Sequence, residues 1–214
     1  MSNNIQSFLT NKKVRLVLFI IFFLNVVVRL PGIFQEMPPN TYCDEDLIIN
    51  YSYKNYSENK IYYYGVAQIN YYLAAIPSYI TEFLNKEKIS KDRFIVFARM
   101  LGPVLFNSLS TLIIFIILFI LFGSISLSIL FSILYTFSPV ILGLSRIFYP
   151  DHYIIIFSTI CLFLSILLRK GVSNKLCIII GSFSVAIAAS IKLHGFVLIL
   201  PLIISNLNFQ KNRL

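Results

Sequence analysis

Residues 100–144 read MLGPVLFNSLSTLIIFIILFILFGSISLSILFSILYTFSPVILGL, two apolar runs parted only by Gly123 and Ser124, without a single Asp, Glu, Lys or Arg. Burying that much apolar surface in a water-soluble core of this size has no precedent in ordinary composition. A bilayer core of about 30 Å needs about 20 apolar residues in a helix. The runs 100–122 and 125–144 both reach that length.

The rest of the chain has the same character. Of 214 residues, 57% are hydrophobic, with 20 Phe and 13 Tyr, and the mean hydropathy is +0.80. Soluble domains lie far from these values. Further apolar runs occupy 16–28, 153–168, 176–191 and 196–207. The fold class expected is therefore all-α and integral to a membrane, with about six transmembrane helices. The runs 153–168 and 176–191 cover only about 24 Å at about 1.5 Å per residue, so their polar ends should sit low, in a cavity.

Charge sets the expected orientation. Lys12, Lys13 and Arg15 precede the first run, which lacks a small-residue cleavage site and reads as a retained helix. With the amino terminus cytoplasmic, the inner segments hold those three residues plus Arg169, Lys170, Lys175, Lys211 and Arg213, and no acid. This is the positive-inside bias. The net charge of +9 is then largely topology, and the scattered basic residues do not form the stripe that nucleic acid would require. Three cysteines cannot all pair, and Cys161 and Cys177 lie in apolar runs, so no disulfide framework or zinc motif is expected.

The organisation expected is one module over 1–214: a first span at 14–30, an extracytoplasmic loop at 31–93 carrying interfacial helices, and five further spans over 94–208. The loop holds eight of the nine acids and ten of the thirteen tyrosines. One helix is expected to start at Asp44; another runs from Val66 to about Leu84, lies flat, and bends at Pro77. Tyrosine at this density suits an interfacial belt.

Three constellations could carry chemistry at the outer boundary. The run Asp44, Glu45, Asp46 follows the first span. Successive helical positions diverge by about 100°, so all three cannot converge on one point. Acids in a first helical turn are equally explained by the helix dipole. The second constellation is Arg146 with Asp151 and His152 after the run 125–144, where a structural Arg–Asp pair is the competing explanation. The third is Lys192 with His194 between the last two runs, where a lysine can simply snorkel to water. Lys192, Arg146 and Arg99 all approach the acid-bearing side.

The order of these features resembles the GT-C class of membrane glycosyltransferases that use polyprenyl-phosphate sugars, the protein O-mannosyltransferase and lipid A aminoarabinosyltransferase group. The similarity runs through Arg29-Leu30, Pro38-Pro39, Asp44-Glu45, the Gly65–Ala74 region, Arg99, Ser145-Arg146 with Asp151, and Ser190-Ile191-Lys192. It covers nearly all of this chain and the amino-terminal half of such an enzyme, so a larger whole is expected. Ala67 and Gln68 stand where the family often has a proline.

The resemblance implies transfer of a sugar from a polyprenyl-phosphate donor to a lipid, glycan or protein acceptor by inverting displacement on the extracytoplasmic face of a bacterial inner membrane. It implies Asp44 as general base, Glu45 or Asp151 orienting the acceptor, and Lys192, Arg146 and Arg99 neutralising the donor phosphate. A divalent cation, magnesium or manganese, between Asp44 and Asp151 stays open, because family members differ in metal need. The competing class is a small transporter or lipid-binding scaffold, or an inactive fragment of the transferase. Against the transporter, no internal repeat is visible and the ionisable groups stand at span ends rather than centres.

Overall fold

The computed structural model describes residues 11–34, 43–58, 69–144, 148, 151–170 and 174–211; the side chains of 43, 44, 46, 144, 174 and 208–211 are outside that description. Among the described residues the protein is all helical, with no strands. In chain order the helices are α1 (Lys12–Ile33), α2 (Cys43–Glu58), α3 (Ile69–Asn85), α4 (Lys91–Arg99), α5 (Asn107–Phe122), α6 (Ile125–Thr136), α7 (Pro139–Leu144), α8 (Asp151–Arg169), α9 (Asn174–Ile191) and α10 (Ile199–Lys211). A π-helical stretch, Met100–Phe106, joins α4 to α5, and a 3₁₀ stretch, Leu193–Leu198, joins α9 to α10.

Three helices are long and apolar enough to cross a membrane: Lys12–Ile33, the continuous Lys91–Phe122, and Asp151–Arg169. The other apolar helices, Ile125–Thr136, Lys175–Ile191 and Leu193–Leu207, are shorter. Two expectations change as a result. The run 125–144 is not one continuous helix, because Phe137 ends α6 and the carbonyl of Ser138 accepts the Leu142 N–H to start α7 at Pro139. Proline has no N–H to continue the ladder. Conversely, the run 153–168 gains Asp151 and His152 at one end and Arg169 at the other, and becomes a full-length helix of 19 residues.

Local chemistry explains the other boundaries. Asn11 caps α1 by accepting the Lys13 N–H at 2.9 Å. Gly123 closes α5 at φ 67°, a left-handed conformation that glycine adopts without strain. Ser124 then caps α6 through the Leu127 N–H at 3.3 Å. The two-residue turn makes α5 and α6 antiparallel neighbours. Pro103 has no N–H to offer the carbonyl of Arg99 four residues earlier, and the helix widens to its π form across Met100–Phe106.

Three apolar clusters hold these helices together. α1 packs on α5 and α6 through Val14, Ile21 and Phe115. α8 packs on α9 and α10 through Cys161, Leu164, Leu168, Cys177, Val185 and Leu202. The third cluster joins α2, α3 and α4 to Phe148 and Tyr153, and it contains much of the aromatic content. Tyr56 and Tyr71 are buried there, and Tyr56 meets Phe94 and Tyr79 ring to ring. These tyrosines fill a core between the loop helices, whereas Tyr72 is exposed in the manner of a belt. Burial pushes the Tyr56 phenol above its ordinary value, so it stays protonated and accepts the Ile89 N–H at 3.2 Å.

A polar node sits inside the α1–α5–α6 packing. Asn25 Oδ1 accepts from Arg29 Nη1, Thr111 and Thr136, at 2.5, 2.9 and 3.2 Å. All four residues are buried. One amide oxygen thus fixes the register of three helices where apolar side chains alone would allow sliding. Asn25→Ala removes the side-chain acceptor of the buried Arg29 guanidinium, while the Thr111 and Thr136 hydroxyls keep the carbonyls of Asn107 and Ser132, and should lower the unfolding free energy in mixed micelles by about 2–3 kcal/mol. An unchanged value would contradict this role for Asn25.

Candidate functional site

The most heavily engaged carboxylate of the loop is Glu45, in the first turn of α2. It is fully buried, and it meets Arg99 at the end of α4 edge to edge: Nε donates to Oε1 at 2.8 Å and Nη2 to Oε2 at 3.0 Å. Arg99 is equally inaccessible, at 1% exposure, and its Nη1 donates to the Ile33 carbonyl at 3.0 Å. The Phe148 N–H adds a further hydrogen bond to Glu45 Oε1 at 2.6 Å. Desolvating two charges is costly, and only a nearly complete set of hydrogen bonds offsets it. Here the end of α1, the start of α2, the end of α4 and residue 148 all supply partners.

The second ion pair is of another kind. Lys192 Nζ lies 2.6 Å from Asp151 Oδ1, with both side chains about one-third exposed. Asp151 opens α8, where an acid also complements the helix dipole. Lys192 is extended, at φ −146° and ψ 137°, between α9 and the 3₁₀ stretch. Gly195 lets that stretch turn back onto α9, since a Cβ there would stand 2.4 Å from the Ala188 carbonyl group. The pair therefore joins two helix ends at a water-accessible surface.

Both pairs belong to one region. Phe148 is bonded to Glu45 and its ring packs on Tyr153, and Asp151 follows three residues later, a chain reach of at most about 11 Å. Asp44 adjoins Glu45, which brings its backbone into the same region. The backbone of Asp44 is described as part of α2, whereas its side chain, and Arg146 altogether, lie outside the described residues.

The expected roles therefore separate. Glu45 and Arg99 are paired with each other in a dry environment, where they join α2 to α4. Asp151 and Lys192 keep partial access to water. His194 is exposed, while His152 is buried, with Nδ1 2.9 Å from Asn107 Nδ2. Among the described residues no three His, Cys, Asp or Glu side chains gather to hold a metal ion. A cavity of about 310 Å³ lies elsewhere, lined by Thr81, Asn85, Glu87, Lys88 and Arg93 among others, and includes neither ion pair.

Sequence reasoning missed the Asn25–Arg29 node and the Asn107–His152 contact. The signal was present: Asn25 and Arg29 stand one turn apart near the end of an apolar run, and Asn107 and Thr111 repeat that spacing in the next. Polar residues on one face of a spanning helix are functional candidates by default.

No protein-family model, curated protein or solved structure matches this chain. Among the described residues, the class defined by fold and site is an all-helical protein with three helices long and apolar enough to cross a bilayer and two ion pairs close together in the chain's folded path.

The two pairs should respond differently to removal of one partner. Arg99→Met strands a buried carboxylate and should cost about 3–5 kcal/mol of stability, whereas Lys192→Met should cost at most about 1 kcal/mol. Equilibrium unfolding in mixed micelles measures both; equal losses would contradict the distinction.

Proposed function

We propose that this chain is a membrane glycosyltransferase module that uses a polyprenyl-phosphate sugar as donor and works at the extracytoplasmic boundary of a bacterial inner membrane. The observation that carries this reading is the Glu45–Arg99–Phe148 junction. It brings the acid-bearing first turn of α2 to the start of α8, where Asp151 and Lys192 form a water-accessible pair.

In this reading Asp44 removes the proton from an acceptor hydroxyl as the acceptor oxygen bonds to the anomeric carbon. The bond from that carbon to the phosphate oxygen breaks, and the phosphate departs with the electron pair. Lys192 neutralises the charge that develops on it, and Asp151 keeps the ammonium in place. Glu45 and Arg99 hold the turn that presents Asp44. A lipid-borne donor suits such a location: its tail stays among apolar helices while the sugar and phosphate reach the polar boundary. The acceptor belongs to the class of lipid, glycan or protein hydroxyl compounds.

Two measurements check the proposal. Asp44→Asn in membranes carrying the full-length polypeptide should reduce sugar transfer by about 10²- to 10⁴-fold while leaving insertion intact, and unchanged product formation would defeat the reading. For orientation, Asn174→Cys should resist an impermeant thiol reagent applied to intact cells and react after permeabilisation. Labelling from outside would invert the topology.

A further inference from the structure

Among the described residues, no carboxylate balances the buried cation Arg29. It is 1% exposed, and its Nη1 donates to Asn25 O and Oδ1. Its Nε and Nη2 have no hydrogen-bond partner among the described residues. The described ion pairs engage Glu45 with Arg99 and Asp151 with Lys192, and neither includes Arg29. Such a group inside an apolar bundle is costly unless something offsets its charge.

The chemistry of the unpaired edge narrows what that something is. Nε and Nη2 share the side of the guanidinium that presents two parallel N–H groups, the same edge with which Arg99 grips both oxygens of Glu45. Asn25 Oδ1 takes the Nη1 N–H, and the Thr111 and Thr136 hydroxyls lie against the same oxygen. Tyr135 precedes Thr136 on α6, and its hydroxyl has no partner among the described residues. A two-pronged cationic edge of this kind suits an anion with two equivalent oxygens.

Tyr135 is only partly buried, and Phe131 one turn earlier and Leu134 beside it are exposed on α6, an apolar surface suited to lipid tails. We propose that the Nε/Nη2 edge of Arg29, with the Tyr135 hydroxyl, binds the phosphate ester of a membrane lipid within the bundle, between α1 and α6. Two non-esterified phosphate oxygens match the two-pronged edge, and the lipid tails lie along Phe131 and Leu134. This site is separate from Asp44, Asp151 and Lys192, and it stands whether or not the transferase reading does.

The test uses the full chain purified in neutral detergent, with thermal unfolding followed after addition of inorganic phosphate, phosphatidylglycerol or a polyprenyl phosphate. The expected result is stabilisation by a phosphate-bearing lipid that Arg29→Gln weakens about tenfold or more in apparent affinity, the scale of a lost charge-assisted pair of hydrogen bonds. Tyr135→Phe, which keeps the ring and removes one donor, should weaken it less, and it serves if the Arg29 variant does not fold. Stabilisation by one lipid class over the other, or by inorganic phosphate alone, identifies the source of the phosphate that the edge holds. Absence of stabilisation by all three compounds overturns the proposal, as does equal stabilisation of wild type and both variants. Loss of lipid binding in Arg29→Gln with sugar transfer unaffected would keep this site while separating it from catalysis.

Discussion

A single buried carboxylate organises the junction of α1, α2 and α4 with residue 148. Glu45 binds the Arg99 guanidinium through both oxygens and the Phe148 amide through one, while Arg99 also reaches the Ile33 carbonyl. Segments separated by up to 103 residues in the chain converge there. In a helical bundle with long apolar faces, packing fixes proximity but leaves rotation and sliding soft. A charged junction with directional bonds removes that freedom, because each misregistered state strands a charge away from water. The cost of burying the pair is thereby turned into a penalty against every other arrangement.

The Asn25 node performs the corresponding task at membrane depth. It ties α1 to α5 and α6 through one oxygen, while Ile33, two turns further along α1, is tied to the Glu45–Arg99 junction. The face of α1 that carries Asn25, Arg29 and Ile33 is thus a polar seam from the bundle interior to the outer boundary. Arg29 sits midway along it with a guanidinium edge still unspent. The seam offers a physical route by which occupation at Arg29 would bear on the helices that frame Asp44 and Asp151.

Much of the helical pattern was legible in the chain, and the reasons are local. The Asn11 cap, the Gly123–Ser124 turn and the Asp151 helix start each follow from the chemistry of one or two residues. The run 125–144 misled because apolar continuity conceals a proline: hydropathy averages over Pro139, but the hydrogen-bond ladder cannot. Counting apolar runs gave six spans; among the described residues three helices meet the requirement of length and composition, beside three shorter apolar helices. The loop tyrosines were read as a belt from their number alone, and Tyr53 and Tyr56 pack against Phe94, which depends on tertiary contacts between α2 and α4. In the candidate site, residue types and helix ends pointed to Glu45, Arg99, Asp151 and Lys192, but their pairing did not follow. Angular divergence said only that not all of Asp44, Glu45 and Asp46 could converge. Which one turns inward depends on where Arg99 lies, 54 residues away.

The central claim is that Glu45 and Arg99 act as one unit that joins α1, α2 and α4 with residue 148. A double-mutant cycle over Glu45→Gln and Arg99→Met, read by equilibrium unfolding in mixed micelles, tests it most directly. The account predicts a coupling of about 2 kcal/mol or more, with the double variant less damaged than the sum of the two single ones. Additivity to within about 0.5 kcal/mol would mean that the two side chains act independently, and would contradict it.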